Sequence, residues 1–312
     1  MSSLIIDEIL QNNVRSISKI ITKIEDDDLP KNIKSELYQY TSNSIRIGIT
    51  GPPGAGKSTI TNQLINQCIL NKKSVGVVAV DPTSPFTGGA LLGDRVRMNE
   101  YYWNDQVFIR SMGNNAKLGG LSQKAQEVGD VLAASGKDLI IFETVGVGQA
   151  EHDIISAADL IIVVLVPESG DEVQLMKAGL IEIADLFIVN KSDRAGANRL
   201  SAQLKNILHL FIKKDMELPE VYNTSANEGK GIVELYFGIQ NFIKKIKQDE
   251  ILSGRKLNRY KQRVINKVND LIKKDFWNEE SLNSFNQLIN STDIKSISPD
   301  QIAKKLIFRK IK

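Results

Sequence analysis

Apolar residues fall along this chain in short runs separated by polar spacers of helix length. Seven runs stand out: Ile45–Thr50, Val75–Val80, Val107–Arg110, Leu139–Glu143, Leu160–Pro167, Leu186–Asn190 and Val221–Thr224. They are hydrophobic without clean alternation, the mark of strands covered on both faces. Strands alternating with helix-length spacers predict an α/β fold, a mainly parallel sheet sandwiched by helices. Ligand-binding loops in such sheets follow the carboxyl ends of the strands.

The flanks read differently. Before Ile45 there is no strand signal, while Ile9, Leu10, Val14, Ile17, Ile20, Ile21 and Ile24 recur at helical spacing up to an acidic break at Asp26–Asp28 and Pro30. Past residue 246, Leu257, Tyr260, Val264, Val268 and Leu271 make an apolar stripe on an otherwise polar helical segment. The expected organisation is therefore an N-terminal helical segment (1–43), a sheet domain (44–245) and a C-terminal helical arm (246–312).

Composition changes this picture little. The chain has 312 residues, 42% of them hydrophobic, and a formal charge of +3. Lys247–Lys312 holds 15 basic and 8 acidic residues, so the arm carries +7 and the remainder −4. A basic amphipathic arm of this kind suits docking or dimerisation through its apolar stripe, with the charged face solvated, better than nucleic acid or a membrane. Cys68 is the only cysteine, which excludes disulfides within the chain and cysteine-rich metal sites. Two histidines, His152 and His209, are too few for a metal-transfer tract. The start lacks the pattern of a signal peptide, and the most apolar run, Leu160–Val166, is too short to span a bilayer. The expectation is a soluble, cytoplasmic protein.

Gly51-Pro52-Pro53-Gly54-Ala55-Gly56-Lys57-Ser58 fits the phosphate-loop pattern G-x-x-x-x-G-K-[ST], with Thr59 following on a helix-like segment. It stands between a strand and a helix, the context the motif needs. Its glycines let backbone N–H groups converge on phosphate oxygens, and the helix start adds positive potential. Lys57 is expected to neutralise the β- and γ-phosphates and Ser58 to ligate Mg²⁺. This P-loop makes a nucleoside triphosphate the substrate.

Asn190-Lys191-Ser192-Asp193 ends a later apolar run. A carboxylate there accepts hydrogen bonds from guanine N1–H and the exocyclic amine, whereas adenine would face it with a lone pair. Lys191 would lie along the base. Thr224-Ser225-Ala226 follows the last strand and offers backbone N–H groups to guanine O6. GTP is thus the expected nucleotide.

Three acids complete the site. Asp81 and Glu143 end strands, and Asp94 lies in Gly93-Asp94-Arg95-Val96-Arg97. Together with Ser58 they form an expected first- or second-shell set for one Mg²⁺, a hard ion that keeps several waters. Glutamate is one methylene longer than aspartate, so Glu143 reaches either the ion or a ligand water. Gly146 and Gly148 let the following segment respond to a γ-phosphate. Lys57, Asp94, Glu143 and Gln149 are the expected catalytic set, with Gln149 a displaced candidate for placing the attacking water. His152 reads as a polar loop residue, and Arg95 and Arg97 are candidates for an arginine acting in cis.

With these residues together, the chain resembles the MeaB-type GTPases, also called ArgK-type or LAO/AO-transport ATPases. The resemblance runs from about Val14 through the last strand. It rests on R-S-I-S-K-I-I-T-K-I-E, T-G-G-A-L-L-G-D-R-V-R-M, F-E-T-V-G-V-G-Q-A-E and E-S-G-D-E-V-Q-L-M-K-A-G-L-I-E-I-A-D-L-F-I-V-N-K-S-D. It implies a homodimeric chaperone of an adenosylcobalamin-dependent acyl-CoA mutase such as methylmalonyl-CoA mutase. GTP binding and hydrolysis to GDP would gate cofactor delivery, protect the loaded mutase and help eject damaged cofactor. Glu168–Lys177 would be a further switch, with Asp171, Glu172, Gln174 and Lys177 its polar members. The stretch 111–124 departs from the family: Leu118-Gly119-Gly120 is kept, but its flanks differ.

Three other functions compete. An ATP-dependent kinase of a periplasmic amino-acid-binding transport protein conflicts with Asn190–Asp193. A nickel- or zinc-delivery GTPase needs soft or imidazole ligands that this chain lacks. A binding module with a degenerate P-loop conflicts with the presence of Lys57, Ser58, Asp81 and Glu143.

Overall fold

The structure is a computed structural model that describes residues 2–82, 101, 104–114, 123–144, 156–168, 180–211, 217–290 and 297–310. Three helices come first, α1 (Ser2–Leu10), α2 (Val14–Glu25) and α3 (Lys31–Tyr38). The sheet region runs β1 (Ile45–Thr50), α4 (Lys57–Leu70), β2 (Val75–Pro82), β3 (Val107–Asn114), α5 (Gln123–Ala134), β4 (Leu139–Thr144) and β5 (Leu160–Leu165). It continues through α6 (Leu180–Ile183), β6 (Leu186–Val189), α7 (Ala197–Phe211), β7 (Glu220–Asn223), a 3₁₀ turn (Ala226–Glu228) and α8 (Ile232–Gln248). Then come α9 (Ile251–Phe276), α10 (Glu279–Asn290) and α11 (Pro299–Lys310).

Among the described residues, seven strands form one sheet in the order β3-β2-β4-β1-β5-β6-β7, and every pairing is parallel. From β1 the chain steps out to β2 and β3, returns to place β4 between β1 and β2, and then reverses to β5, β6 and β7 on the other side of β1. Carboxyl ends of strands on either side of that reversal open a crevice, which is where open α/β sheets bind ligands. Strand β3 outruns its apolar core, because Ser111–Asn114 pair in register with Ala79–Pro82 of β2. Backbone pairing carries it past the point where the side chains turn polar.

Both faces of the sheet are covered. Residues of α4 and α8 pack on one face with Ile47, Ile49, Ile141, Ile162 and Ile188. On the other, Val78, Phe142, Val163 and Phe187 meet α5, α7 and the N-terminal helices, whose Ile9, Ile17, Ile20 and Ile21 are completely buried. Asn13 caps α2 by accepting the Ser16 N–H at 3.0 Å, which satisfies one of the donors that a helix start leaves open. Ion pairs Lys34–Glu127 (2.6 Å), Lys124–Asp27 (2.7 Å) and Arg110–Glu25 rim the contact of these helices with the sheet region.

An Asp-Leu pair opens each of β4, β5 and β6, and each aspartate does the same job. Asp138 accepts the Ser74 N–H at 2.8 Å, Asp159 that of Arg46 at 2.9 Å and Asp185 that of Ile161 at 2.8 Å. Each carboxylate thereby satisfies a backbone donor at or just before the start of another strand. Arg255 reaches the same sheet edge, donating to both Asp185 oxygens (2.7 and 2.8 Å) and to the Asp159 carbonyl (2.7 Å).

Lys137 is buried at this edge, with its ammonium on the Asp105 carbonyl at 2.9 Å. Burial pushes its pKa down from 10.5 to about 8, against the opposing pull of the Asp105 and Asp138 charges. Above about pH 8 the folded state gives up a proton that the unfolded chain keeps until about 10.5. The unfolded state then binds more protons, so stability rises with pH through this window, by on the order of 3 kcal/mol. Urea unfolding at pH 8 and pH 10 is expected to show this rise in the parent and not in Lys137→Met. An equal rise in both would assign it to other groups.

Contacts divide the chain into two compact units, residues 1–255 and 256–312, with the border inside α9. In the second unit Ile302 and Leu306 are buried, and Trp277 meets Phe276 and Phe285 edge-on, with centroids 5.0 and 5.8 Å away. The stripe Leu257, Tyr260, Val264, Val268 and Leu271 is 44–51% exposed along α9.

Candidate nucleotide-binding site

The loop from β1 to α4 is shaped by what its glycines avoid. Gly51 has φ 140°, and a Cβ there would lie 2.0 Å from the Val164 carbonyl oxygen of β5. Gly56 caps α4 in the left-handed region, and its Cβ would lie 2.4 Å from the Asn190 side-chain nitrogen. Glycine is required at both positions, by crowding as well as by backbone angle. The result aims the start of α4 into a cleft of about 530 Å³ at the carboxyl end of the sheet.

Lys57 is only 6% exposed, and its ammonium donates to the carbonyls of Gly51 (2.9 Å) and Pro52 (3.0 Å). A buried cation needs such partners, and these place the charge over the loop that should hold phosphate. Ser58 donates its hydroxyl to Glu143 Oε1 at 2.5 Å, bridging the first turn of α4 and the end of β4. Glu143 is 4% exposed and pairs in register with Ile49 of β1 and Ala79 of β2. Next along β4, Thr144 donates to Thr50 Oγ1 at 3.1 Å, tying the end of β4 to the end of β1.

At the other end of the cleft Asn190, 2% exposed, joins three segments. Its amide donates to the Ala55 carbonyl at 2.9 Å, while Oδ1 accepts from Thr224 Oγ1 and the Ala226 N–H, each at 3.1 Å. Lys191 takes a left-handed φ of 57°, which turns the chain toward Asp193. Asp193 stands exposed and accepts the Ser225 hydroxyl at 2.8 Å. That bond first, and one from its own backbone N–H second, hold its carboxyl below the usual carboxylate range. Asp193 is therefore an acceptor at neutral pH, as guanine requires.

The family model of the methylmalonyl-CoA mutase-associated GTPase MeaB matches residues 17–281. The chain belongs to the MeaB family of GTPases. A Pyrococcus horikoshii protein is 40% identical over 313 residues, covering 98% of both chains. The mitochondrial methylmalonic aciduria type A homolog of Mus musculus is 31% identical over 269 residues, 85% of this chain and 65% of that one. A solved LAO/AO transport system kinase superimposes with a TM-score of 0.74 and 25% identity, covering 100% of this chain and 98% of that one. This MeaB-family member is a P-loop GTPase on an α/β fold, hydrolysing GTP to GDP and phosphate.

Of the residues expected from sequence to touch nucleotide or metal, Pro53, Gly54, Gly56, Lys57, Ser58, Thr59, Glu143, Asn190, Lys191, Asp193, Ser225 and Ala226 line the cleft. Gly51 and Ala55 lie buried beneath it, acting through Val164 and Asn190. Pro52 meets Lys57 by its carbonyl. Asp81 is placed by backbone at the end of β2, where it pairs with Gly113; its side chain lies outside the described residues. So do Asp94, Gln149, Arg95, Arg97, His152 and residues 169–177 of the expected Glu168–Lys177 switch. Within 111–124, the stretch 115–122 also lies outside them.

Two features of the base end were not expected from sequence. The Ala226 N–H, an expected donor to guanine O6, is already engaged by Asn190 Oδ1, so donation to the base would be a shared bond. Arg194 also lines the cleft and pairs with Glu168, the first residue beyond Pro167. Both partners are half exposed, where ion pairs contribute little to stability.

Proposed function

We propose that this GTPase is a chaperone of an adenosylcobalamin-dependent acyl-CoA mutase, with methylmalonyl-CoA mutase the first candidate. It would gate cofactor loading and protect or reactivate the mutase, acting in the cytoplasm as a homodimer. The observation that carries the reading is the match over residues 17–281 to a family described as methylmalonyl-CoA mutase-associated. The mouse relative, named for methylmalonic aciduria, points the same way. The exposed apolar stripe of α9 supports pairing through the arm.

The residues in the cleft fit Mg²⁺. Ser58 Oγ and Glu143 Oε1 are hard oxygen donors 2.5 Å apart at the start of α4, the ligand type this ion takes. Ser58 would hold it, Glu143 would ligate it or retain one of its waters, and Asp81 and Asp94 would complete the set. Bound there, the ion would neutralise charge on the β- and γ-phosphate oxygens. Lys57 would stabilise charge developing on the γ-phosphoryl group, and backbone N–H groups from Gly54 to Thr59 would cradle the phosphates. Asp193 would accept guanine N1–H and the exocyclic amine, with Asn190, Lys191, Ser225 and Ala226 framing the base. Asp94 and Gln149 would close on the γ-phosphate and place the attacking water.

The test is binding of the purified protein to purified methylmalonyl-CoA mutase in the presence of GDP or a non-hydrolysable GTP analogue. The expected result is an affinity that depends on the nucleotide, and GTP turnover raised at least about tenfold by the mutase, as partners do for slow GTPases. No binding to this or any other adenosylcobalamin mutase in either nucleotide state would sink the proposal. The name of the solved relative, a transport system kinase, favours a second reading. Transfer of labelled γ-phosphate to a transport binding protein would support that reading instead.

A further inference from the structure

Gln63 lies six residues beyond Lys57 on α4, and as a polar residue on a helix its ordinary fate is to face water. Here it does not. Its side-chain amide crosses to the loop after β7 and donates to the Ala226 carbonyl at 2.8 Å, a contact between residues 163 positions apart. The opposite side of the same residue is also held, since the Ala226 N–H donates to Asn190 Oδ1 at 3.1 Å.

The loop itself is closed by a two-way bridge. Ser225 N–H donates to the Lys230 carbonyl at 3.1 Å, and Lys230 N–H returns to Ser225 at 3.2 Å. Beyond it, Gly231 sits so close to Asn223 that a Cβ would lie 2.2 Å from the carbonyl oxygen. A loop so closed is tied to the phosphate end of the cleft through two side chains. One link runs through Asn190 to Ala55, the other through Gln63 to α4.

We propose that Gln63 is a positioning residue for guanine recognition, holding the Ser225–Ala226 loop at the correct spacing from the phosphate loop. A nucleotide spans both ends of the cleft in one piece, so an error in that spacing is felt as lost contact at the base while phosphate contacts persist. The inference rests on the reading that Asp193 and this loop take guanine, and its test separates the two.

Gln63→Met keeps length and removes the donor; Gln63→Glu sets an acceptor against the carbonyl. GDP affinity is expected to fall about three- to tenfold in Gln63→Met, the range for one hydrogen bond, and further in Gln63→Glu. Inhibition by tripolyphosphate, which meets only the phosphate end, should be unchanged in both, as should kcat at saturating GTP. Should Gln63→Met not fold, Gln63→Asn, with its amide one methylene short, carries the same test. Unchanged GDP affinity in Gln63→Met would overturn the proposal. So would an equal loss of tripolyphosphate affinity, which would mark general loosening of α4. Asp193→Asn is run beside it: if that variant keeps its guanine preference, the base reading falls and this proposal with it. If it loses guanine while Gln63→Met binds GDP normally, the role of Gln63 alone is refuted.

Discussion

Lys57→Ala is expected to lower kcat/KM for GTP about 10²- to 10³-fold, the usual loss when one charged or hydrogen-bonding partner of a transition state is removed. The ammonium of Lys57 is brought over the loop by the Gly51 and Pro52 carbonyls, and its burial means that water screens it little. Charge developing on the γ-phosphoryl group would meet an ammonium already held over the loop. A structural role predicts something else. If the ammonium served mainly to staple the loop, the variant would melt lower without nucleotide and keep much of its turnover. The decisive pair of measurements is the melting temperature without nucleotide and its rise with GDP. The expected pattern is a near-parent baseline with most of the GDP-dependent rise lost, because ligand stabilisation follows affinity. Fast turnover in the variant would remove Lys57 from the catalytic set.

Much of this was legible in the sequence because the relevant signals are local. An apolar run flanked by a phosphate loop identifies β1 and α4 without reference to the rest of the chain. Glu143 announced itself as an acid closing a hydrophobic strand, and the structure brings it to Ser58 across 85 positions. What stayed hidden depends on contacts between distant residues. The periodicity of Ile17, Ile20, Ile21 and Ile24 shows that α2 has an apolar face but not what covers it; α5 and one face of the sheet do. Strand β3 was underestimated because Ser111, Gly113 and Asn114 are held by backbone pairing to β2, which composition does not record. Gln63 and Arg255 were invisible for the same reason. Each is a polar residue on a helix, and only the fold shows that one reaches Ala226 and the other Asp185.

Asp193→Asn is expected to exchange the nucleotide rather than merely weaken it. In the parent, Asp193 Oδ1 accepts the Ser225 hydroxyl, and the carboxylate still has lone pairs for N1–H and the exocyclic amine of guanine. Asparagine can keep Oδ1 for Ser225 and N1–H but must present an NH₂ group where the second oxygen stood. That group would face guanine's own amine, donor against donor. Sites that leave a polar group unpaired in this way discriminate by up to 10⁴–10⁵, and hydrogen bonds to charged groups are among the stronger ones. Because Asp193 is exposed in the protein alone, the expected loss in GDP affinity is the smaller figure of about 10²- to 10³-fold. Xanthine carries a carbonyl in place of that amine, so the same NH₂ group would find an acceptor. The variant should therefore bind xanthosine diphosphate more tightly than GDP, with the parent showing the reverse order. Competition of the two diphosphates against a fluorescent nucleotide reads both affinities in one experiment. A variant that lost both equally would mean that Asp193 supports the loop through Ser225 without reading the base. The same experiment with adenosine diphosphate checks the exclusion of adenine, whose N1 lone pair meets the carboxylate in the parent and whose affinity should be low in both proteins.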